Sequence, residues 1–257
     1  MKRFLLLSFV SIVYHLPAQA EETPEERALS IVRMLDKANE GYQSEISTTE
    51  ITLINAHGEK ITRKMSSKAK EVPNDGDKMV ITFEWPADVK GTKMLTWTHK
   101  KGEDDQWLYL PSVKRTKRIA ARNKTGSFMG SEFSYEDLGS QEIEKFTYKF
   151  VREGQEDSRD SWVIERYPTD QNSGYSKQIA ILDKEYLGPT KVIYFDRRNE
   201  ELKVSKFAGY KRFNKWWRPE TIHVVNSQTK KESILLWKYR ELGKQLQDSA
   251  FASENIQ

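Results

Sequence analysis

The chain is predicted to be mainly β with some α: a long, curved antiparallel sheet covered by one N-terminal helix and by a mid-chain helical or loop flap. Three observations carry this expectation. A 3.6-residue apolar period occupies residues 24–40 and then gives way to period two, which persists to about residue 242. Turn signals recur between the strand patterns without βαβ alternation, which argues for a meander and against a parallel sheet. The rhythm breaks once, between Ser112 and Ser140.

Before the helix, Lys2 and Arg3 precede an apolar run from Phe4 to Val13 and the small-residue stretch "LPAQA". This is the tripartite pattern of a signal peptide, residues 1–20, cleaved after about Ala20. The apolar run is too short to span a bilayer. Residues 21–257 show no linker or composition shift and are expected to form a single exported domain. The chain has no Cys, so its core stands without disulfides and holds no thiolate metal site. Its 42 basic and 38 acidic residues nearly balance, which argues against a nucleic-acid partner. With 7 Trp, 11 Tyr and 11 Phe, it suits a large core or a lined cavity.

Thr23 is a natural N-cap, Pro24 fits the first helical position and Glu26 completes a capping box. Ala28, Ile31, Leu35 and Ala38 then mark an apolar stripe, and Gly41 a stop. Two strands follow around a turn at His57–Gly58. In "KMVITFEWP" Met79, Ile81, Phe83 and Trp85 share one face; in "KMLTWTH" Leu95 and Trp97 do; in "KFTYKFV" Phe146, Tyr148 and Phe150 do. Seven segments from "QWLYLPS" to "ESILLWKYREL" complete about eleven or twelve strands, with turns at Asn172–Gly174, Gly188–Pro189, Arg198–Asn199 and Ser227–Gln228. "DSAFASENIQ" reads as a short helix or a frayed tail.

A sheet of this length with one apolar face needs a cover, and a single helix covers only part of it. "GSFMGSEFSYEDLGS", residues 126–140, interrupts the meander midway. Its Phe128, Met129, Phe133 and Tyr135 can turn inward, while Ser134 caps a helical turn at "YEDL" with Asp137 in the capping-box position. Together with Phe83, Trp85, Leu95, Trp97, Phe146 and Tyr148 these residues are candidates for the wall of an apolar hollow. Ordinary core packing is the other reading of each. The segment reads equally as a moving flap or as a static plug.

Catalytic signals are weak. His57, His99 and His223 lack metal-ligand spacing, and "GSFMGS" is not a nucleophile elbow. "NDGD" and "GEDD" lack the spacing of a calcium loop and read as hairpin turns. We therefore expect no enzyme, metal or cofactor. "KRTKRIAARNK" carries Lys114, Arg115, Lys117, Arg118 and Arg122 without an acid. It reads either as a solvated edge or as a contact for anionic headgroups or an acidic partner.

The block "WLYLPSVKRTKRIAARNKTGSFMGSEFSYEDLG", with "WWRPETIHVVN" further on, resembles the outer-membrane lipoprotein-sorting proteins, relatives of the LolA/LolB lipoprotein carriers. The resemblance implies a half-open antiparallel β-barrel of about eleven strands wrapped around helices. It further implies a cavity for acyl chains and a periplasmic carrier of a lipid or acylated protein in outer-membrane biogenesis. An inner-membrane RND-type transporter is the implied partner, and transient membrane contact is expected. The alternative on the same fold is a binding or sensor module, or an exporter accessory subunit, without cargo. No residue here matches the carriers' cavity arginine, so no ligand contact is transferred.

Overall fold

The computed structural model describes residues 22–256; the signal-peptide expectation for residues 1–20 lies outside them. Helix α1 (Pro24–Asn39) starts as its sequence dictates. The Thr23 hydroxyl accepts the Glu26 N–H (3.2 Å) and the Glu26 carboxylate accepts the Thr23 N–H (2.9 Å). Ala28, Ile31 and Leu35 pack against Tyr148 and Ile164 of the sheet.

From α1 the chain lays down β1 (Ser44–Ile54), β2 (Lys60–Lys70), β3 (Lys78–Trp85), β4 (Lys93–Trp97), β5 (Asp105–Leu110) and β6 (Arg115–Arg118), each beside the last. It then crosses to the far edge. There β7 (Phe146–Glu156), β8 (Arg159–Pro168), β9 (Tyr175–Asp183), β10 (Gly188–Asp196) and β11 (Glu201–Ala208) meander back. After a small separate hairpin, β12 (Lys211–Phe213) and β13 (Trp216–Arg218), come β14 (Thr221–Asn226) and β15 (Glu232–Leu242). β15 pairs antiparallel with β1 and joins the two meanders in mid-sheet.

The result is one 13-stranded antiparallel sheet whose edges, β6 and β7, stay unpaired with each other. This corrects the expectation of about eleven strands in a half-open barrel: the sheet is longer and open. The one strand of the sheet beyond the twelve segments read from the sequence is β6, hidden in the basic run because an edge strand held through backbone bonds to β5 needs no apolar alternation. The β12–β13 hairpin also escaped the sequence pattern. The strand before it ends at Ala208, and Asn214 turns the hairpin at φ 54°. The turn expected at Gly188–Pro189 lies at residues 184–187, and those two residues open β10.

Period two assigns the faces. Ile81, Met94 and Leu108 stand opposite one another on β3, β4 and β5 and join the inner core with Ile51, Met65 and Phe83. Val80, Leu95 and Trp107 form the matching row on the outer face. There they are covered by the C-terminal tail, two 3₁₀ turns (Asp248–Phe251 and Ser253–Asn255) that bury Phe251 and Ile256.

Candidate functional site

α1 lies over the inner face at the β7–β8 end, and residues 119–140 cross its middle. Between this cover and the sheet lie two cavities. The first, about 630 Å³, is floored by β8–β11 residues including Ala180, Leu182, Val192, Tyr194 and Phe207. The second, about 1350 Å³, lies over β1–β3 and β15 and is lined by Ile51, Met65, Met79, Ile81, Leu235 and Trp237. The larger exceeds the roughly 300–1,000 Å³ usual for small-molecule sites. Its rim is charged, with Asp36, Glu71, Asp77, Lys215 and Arg218. Phe133, Asp137 and Gly139 face both cavities, so the mid-chain segment is a septum between them.

The expected helical or loop segment is built as a short hairpin followed by one helical turn. Phe128 N–H donates to Phe133 O (2.7 Å) and Tyr135 N–H to Gly126 O (3.0 Å), around a bend at Met129 and Gly130, both at positive φ. Tyr135–Leu138 form one 3₁₀ turn, and the Asp137 carboxylate accepts the Ser134 N–H (2.7 Å), as the capping pattern predicts. Gly139 passes so close to the β4–β5 loop that a Cβ there would stand 3.1 Å from both Asp104 Oδ2 and Thr98 Oγ1.

Buried polar contacts pin this septum to the sheet. Lys203, 4 % exposed, donates to Asp137 Oδ2 (2.6 Å) and to Glu132 O (2.9 Å). Tyr175 donates to Asp137 Oδ1 (2.8 Å), Asn226 to Glu132 Oε2 (2.7 Å), and Ser233 Oγ accepts the Glu132 N–H (3.0 Å). Burial, with the Asp137 charge second, drives the phenols of Tyr175 and Tyr194 upward, the latter to about 12. Glu136 is pushed up to about 7 by burial and then by the adjoining Asp137 charge, against the pull of Lys124 3.8 Å away and the Gly174 N–H. At the second cavity's rim, burial raises Asp36, Asp77 and Glu142 as well.

The structure divides the candidates read from sequence. Phe128 and Phe133 line the second cavity, Phe133 also lines the first, and Phe146 lines the first. Phe83, Met129 and Tyr135 form the packed core beneath, where Phe128 meets Phe83 at 5.7 Å and Tyr135 at 6.0 Å between centroids. Tyr148 lies under α1. Three assignments are corrected. Leu95 and Trp97 point to the outer face, because strand parity puts Met94 and Thr96 inward. Trp85 is 51 % exposed, beyond the bulge where β3 pairs with Lys64 and Met65. Lys114, Arg115, Lys117, Arg118 and Arg122 are all exposed along or beside edge strand β6, with Arg118 paired to Asp105.

Sequence reasoning missed the inner-face residues of β8–β11 and β14. Both faces of those strands carry apolar groups, so period two does not say which face looks inward. The usable signal was Lys203, a lone cation in step with Ser205 and Phe207. It also missed that His99 sits between Asp75 (2.8 Å) and Asp105 (3.3 Å). Burial opposes the His99 charge, but the two carboxylate hydrogen bonds outweigh it and raise its pKa, while Asp75 falls to about 2. Among the described residues no group of three or more His, Asp or Glu is arranged to hold a metal ion, and no helix is long and apolar enough to cross a membrane.

A family model described only as an uncharacterized protein matches residues 75–257. An outer membrane lipoprotein-sorting protein domain from Vibrio parahaemolyticus is 43% identical, with a TM-score of 0.89, covering 90% of this chain and 99% of that one. A DUF1329 family protein from Desulfovibrio piger shares the fold at 24% identity, with a TM-score of 0.87 over 91% of this chain and 100% of its own. A LolA superfamily protein from Nitrosomonas europaea does so at 18% identity and a TM-score of 0.70, over 88% and 98% respectively. No curated protein matches the chain.

Proposed function

The chain belongs to the family of outer membrane lipoprotein-sorting proteins, and on that premise we propose that it is a periplasmic carrier that shields a lipid, or the acyl chains of a lipoprotein, on the inner face of its sheet. The observation that carries this reading is the pair of apolar-floored cavities between the sheet and its cover. Each CH₂ transferred from water to such a floor contributes about 0.8 kcal/mol, so a long acyl chain is held without covalent chemistry. Charged groups at the rim of the larger cavity stay in water while the chain is inside. Release follows when the cover shifts and the hollow loses its affinity. No step requires catalysis, and we assign the protein none. A periplasmic setting supplies both donor and acceptor membranes, and an inner-membrane RND-type exporter is the partner we assign to it.

A second reading has one observation in its favour. The buried Lys203–Asp137 pair fastens the septum to the sheet, as suits a fixed exporter subunit or sensor module without cargo. Native mass spectrometry of protein purified from its host, followed by lipid extraction, separates the two. The carrier is expected to fly with reproducible lipid adducts. Protein that is repeatedly empty yet co-purifies with an inner-membrane transporter defeats the carrier reading and supports the second.

A further inference from the structure

One register row of the inner face is polar. Tyr148, Arg166, Gln178, Tyr194, Lys203 and Asn226 stand opposite one another on six neighbouring strands, β7 to β11 and β14. The septum lies across one end of the row and brings a carboxylate to each donor there: Asp137 to Lys203 and Glu132 to Asn226. At the other end it brings none. Arg166, half-buried in the wall of the smaller cavity, forms no ion pair among the described residues. Its Nε donates to Oε1 of the buried Gln178 (2.7 Å), and its guanidinium lies 5.0 Å from the Phe146 ring centroid. Of the other carboxylates lining this cavity, Glu136 is engaged with Lys124 and the Gly174 N–H and Asp137 with Lys203, while Glu144 is exposed and forms no ion pair with Arg166. At the cavity rim, Lys145 holds Asp104, and Lys124 holds Asp170.

A charge withdrawn from water is ordinarily paired. A guanidinium fixed at Nε and laid on a ring keeps both Nη groups available as a planar fork, the geometry that grips a carboxylate or phosphate through two parallel bonds. We propose that the smaller cavity binds a single-chain anionic amphiphile. Its carboxylate or phosphate is taken by Arg166, and its chain lies on Ala180, Leu182 and Val192. The ligand's anion does at Arg166 what Asp137 does at Lys203 further along the same row. This rests on the carrier reading and narrows it to an acidic headgroup. Because the fork is held in place beforehand, little ordering is left to oppose binding.

The test is displacement of a pyrene probe from the delipidated protein by dodecanoate, dodecyl phosphate and dodecanol, which share one chain length. Both anions are expected to bind at least about tenfold tighter than the alcohol, the size of one charge-assisted contact. Arg166→Met is expected to abolish that difference and leave dodecanol unchanged. Arg166→Lys, which keeps the charge but not the fork, recovers part of it and guards against a folding defect, read from the thermal midpoint. Arg212→Met, on exposed strand β12 outside both cavities, leaves the difference intact. Anions that bind no better than dodecanol, or a Met variant that still discriminates, overturn the role of Arg166 while the apolar hollow stands. Inorganic phosphate that displaces the probe as well as dodecyl phosphate makes the ligand a free anion and overturns the amphiphile. If none of the three chains displaces the probe, the carrier reading falls with the inference.

Discussion

Lys203 and Asp137 are the pair of side chains on which the septum most depends. The ammonium is 4 % exposed and sits 2.6 Å from a carboxylate that also accepts Tyr175 and the Ser134 N–H. Removing one partner of such a pair strands the other charge, at a cost of about 3–5 kcal/mol. Lys203→Met is therefore expected to lower unfolding stability by that amount in urea, and adding Asp137→Asn to cost much less than a second full loss. Equal, additive losses from the two substitutions would show the pair to be uncoupled. Glu136 bears on the same septum with the opposite sign. Its pKa in the folded protein is about 7, above the ordinary 4.5, because burial and the Asp137 charge disfavour ionisation. The stability this carboxyl contributes is present in full below about pH 4.5 and is lost as pH rises through about 7. Glu136→Gln should accordingly stabilise the protein at pH 8 by on the order of 2 kcal/mol and flatten the pH profile between those limits. A variant as pH-dependent as the parent in that window would locate the titration elsewhere.

At the scale of elements, the outer face of β3–β5 depends on a segment with almost no strand or helix of its own. Phe251, 1 % exposed, packs with Leu95 and Ile256, and its carbonyl accepts Trp97 Nε1–H (2.8 Å). Phe251→Ala is expected to cost about 3–5 kcal/mol, and the Trp97 and Trp107 emission should shift to the red. Unchanged emission would mean that the tail does not seal this face. The same region shows what could be read from sequence. α1 was legible to within a residue because its cap, stripe and stop agree. Strands β1–β5 and β7–β8 were legible because turn residues bracket clear alternation. β6 was not, since an edge strand is defined by its neighbour's backbone. Leu95 and Trp97 were assigned inward because both faces of β4 are apolar, and only the tail, far off in sequence, explains the outer one. At the site, the capping signature of Ser134 and Asp137 was legible, whereas the polar row from Tyr148 to Asn226 exists only through the register of six strands.

At the scale of the whole molecule, the chain is two meanders sewn together at β1–β15, with free edges at β6 and β7 and residues 119–145 stretched between them. The β6 edge is basic. Neutralising Lys114, Arg115, Lys117 and Arg118 to Gln removes exposed charge and one surface ion pair, the latter a contribution of about 0.2–1 kcal/mol. Folding should persist, while association with anionic vesicles at low salt should fall and lose its salt dependence. Vesicle association identical to the parent's would leave β6 a merely solvated edge. The septum raises the larger question of whether cargo enters beneath a fixed cover or a moving one. Its hairpin touches the sheet centre where the Glu132 N–H meets Ser233 Oγ at 3.0 Å, which makes these two positions the ones at which to introduce a cysteine pair. The chain has no cysteine of its own, so any disulfide in Glu132→Cys/Ser233→Cys is the engineered one, and its closure is read from the loss of both free thiols. A carrier that exchanges cargo by lifting the septum should stop loading lipid when oxidised and resume when reduced, with no change in the lipid already bound. Loading at the parent's rate in the oxidised form would make the septum a permanent partition. Entry would then have to pass through the cavity rims, between the C-terminal turn of α1 and the loop at residues 71–77 for the larger cavity.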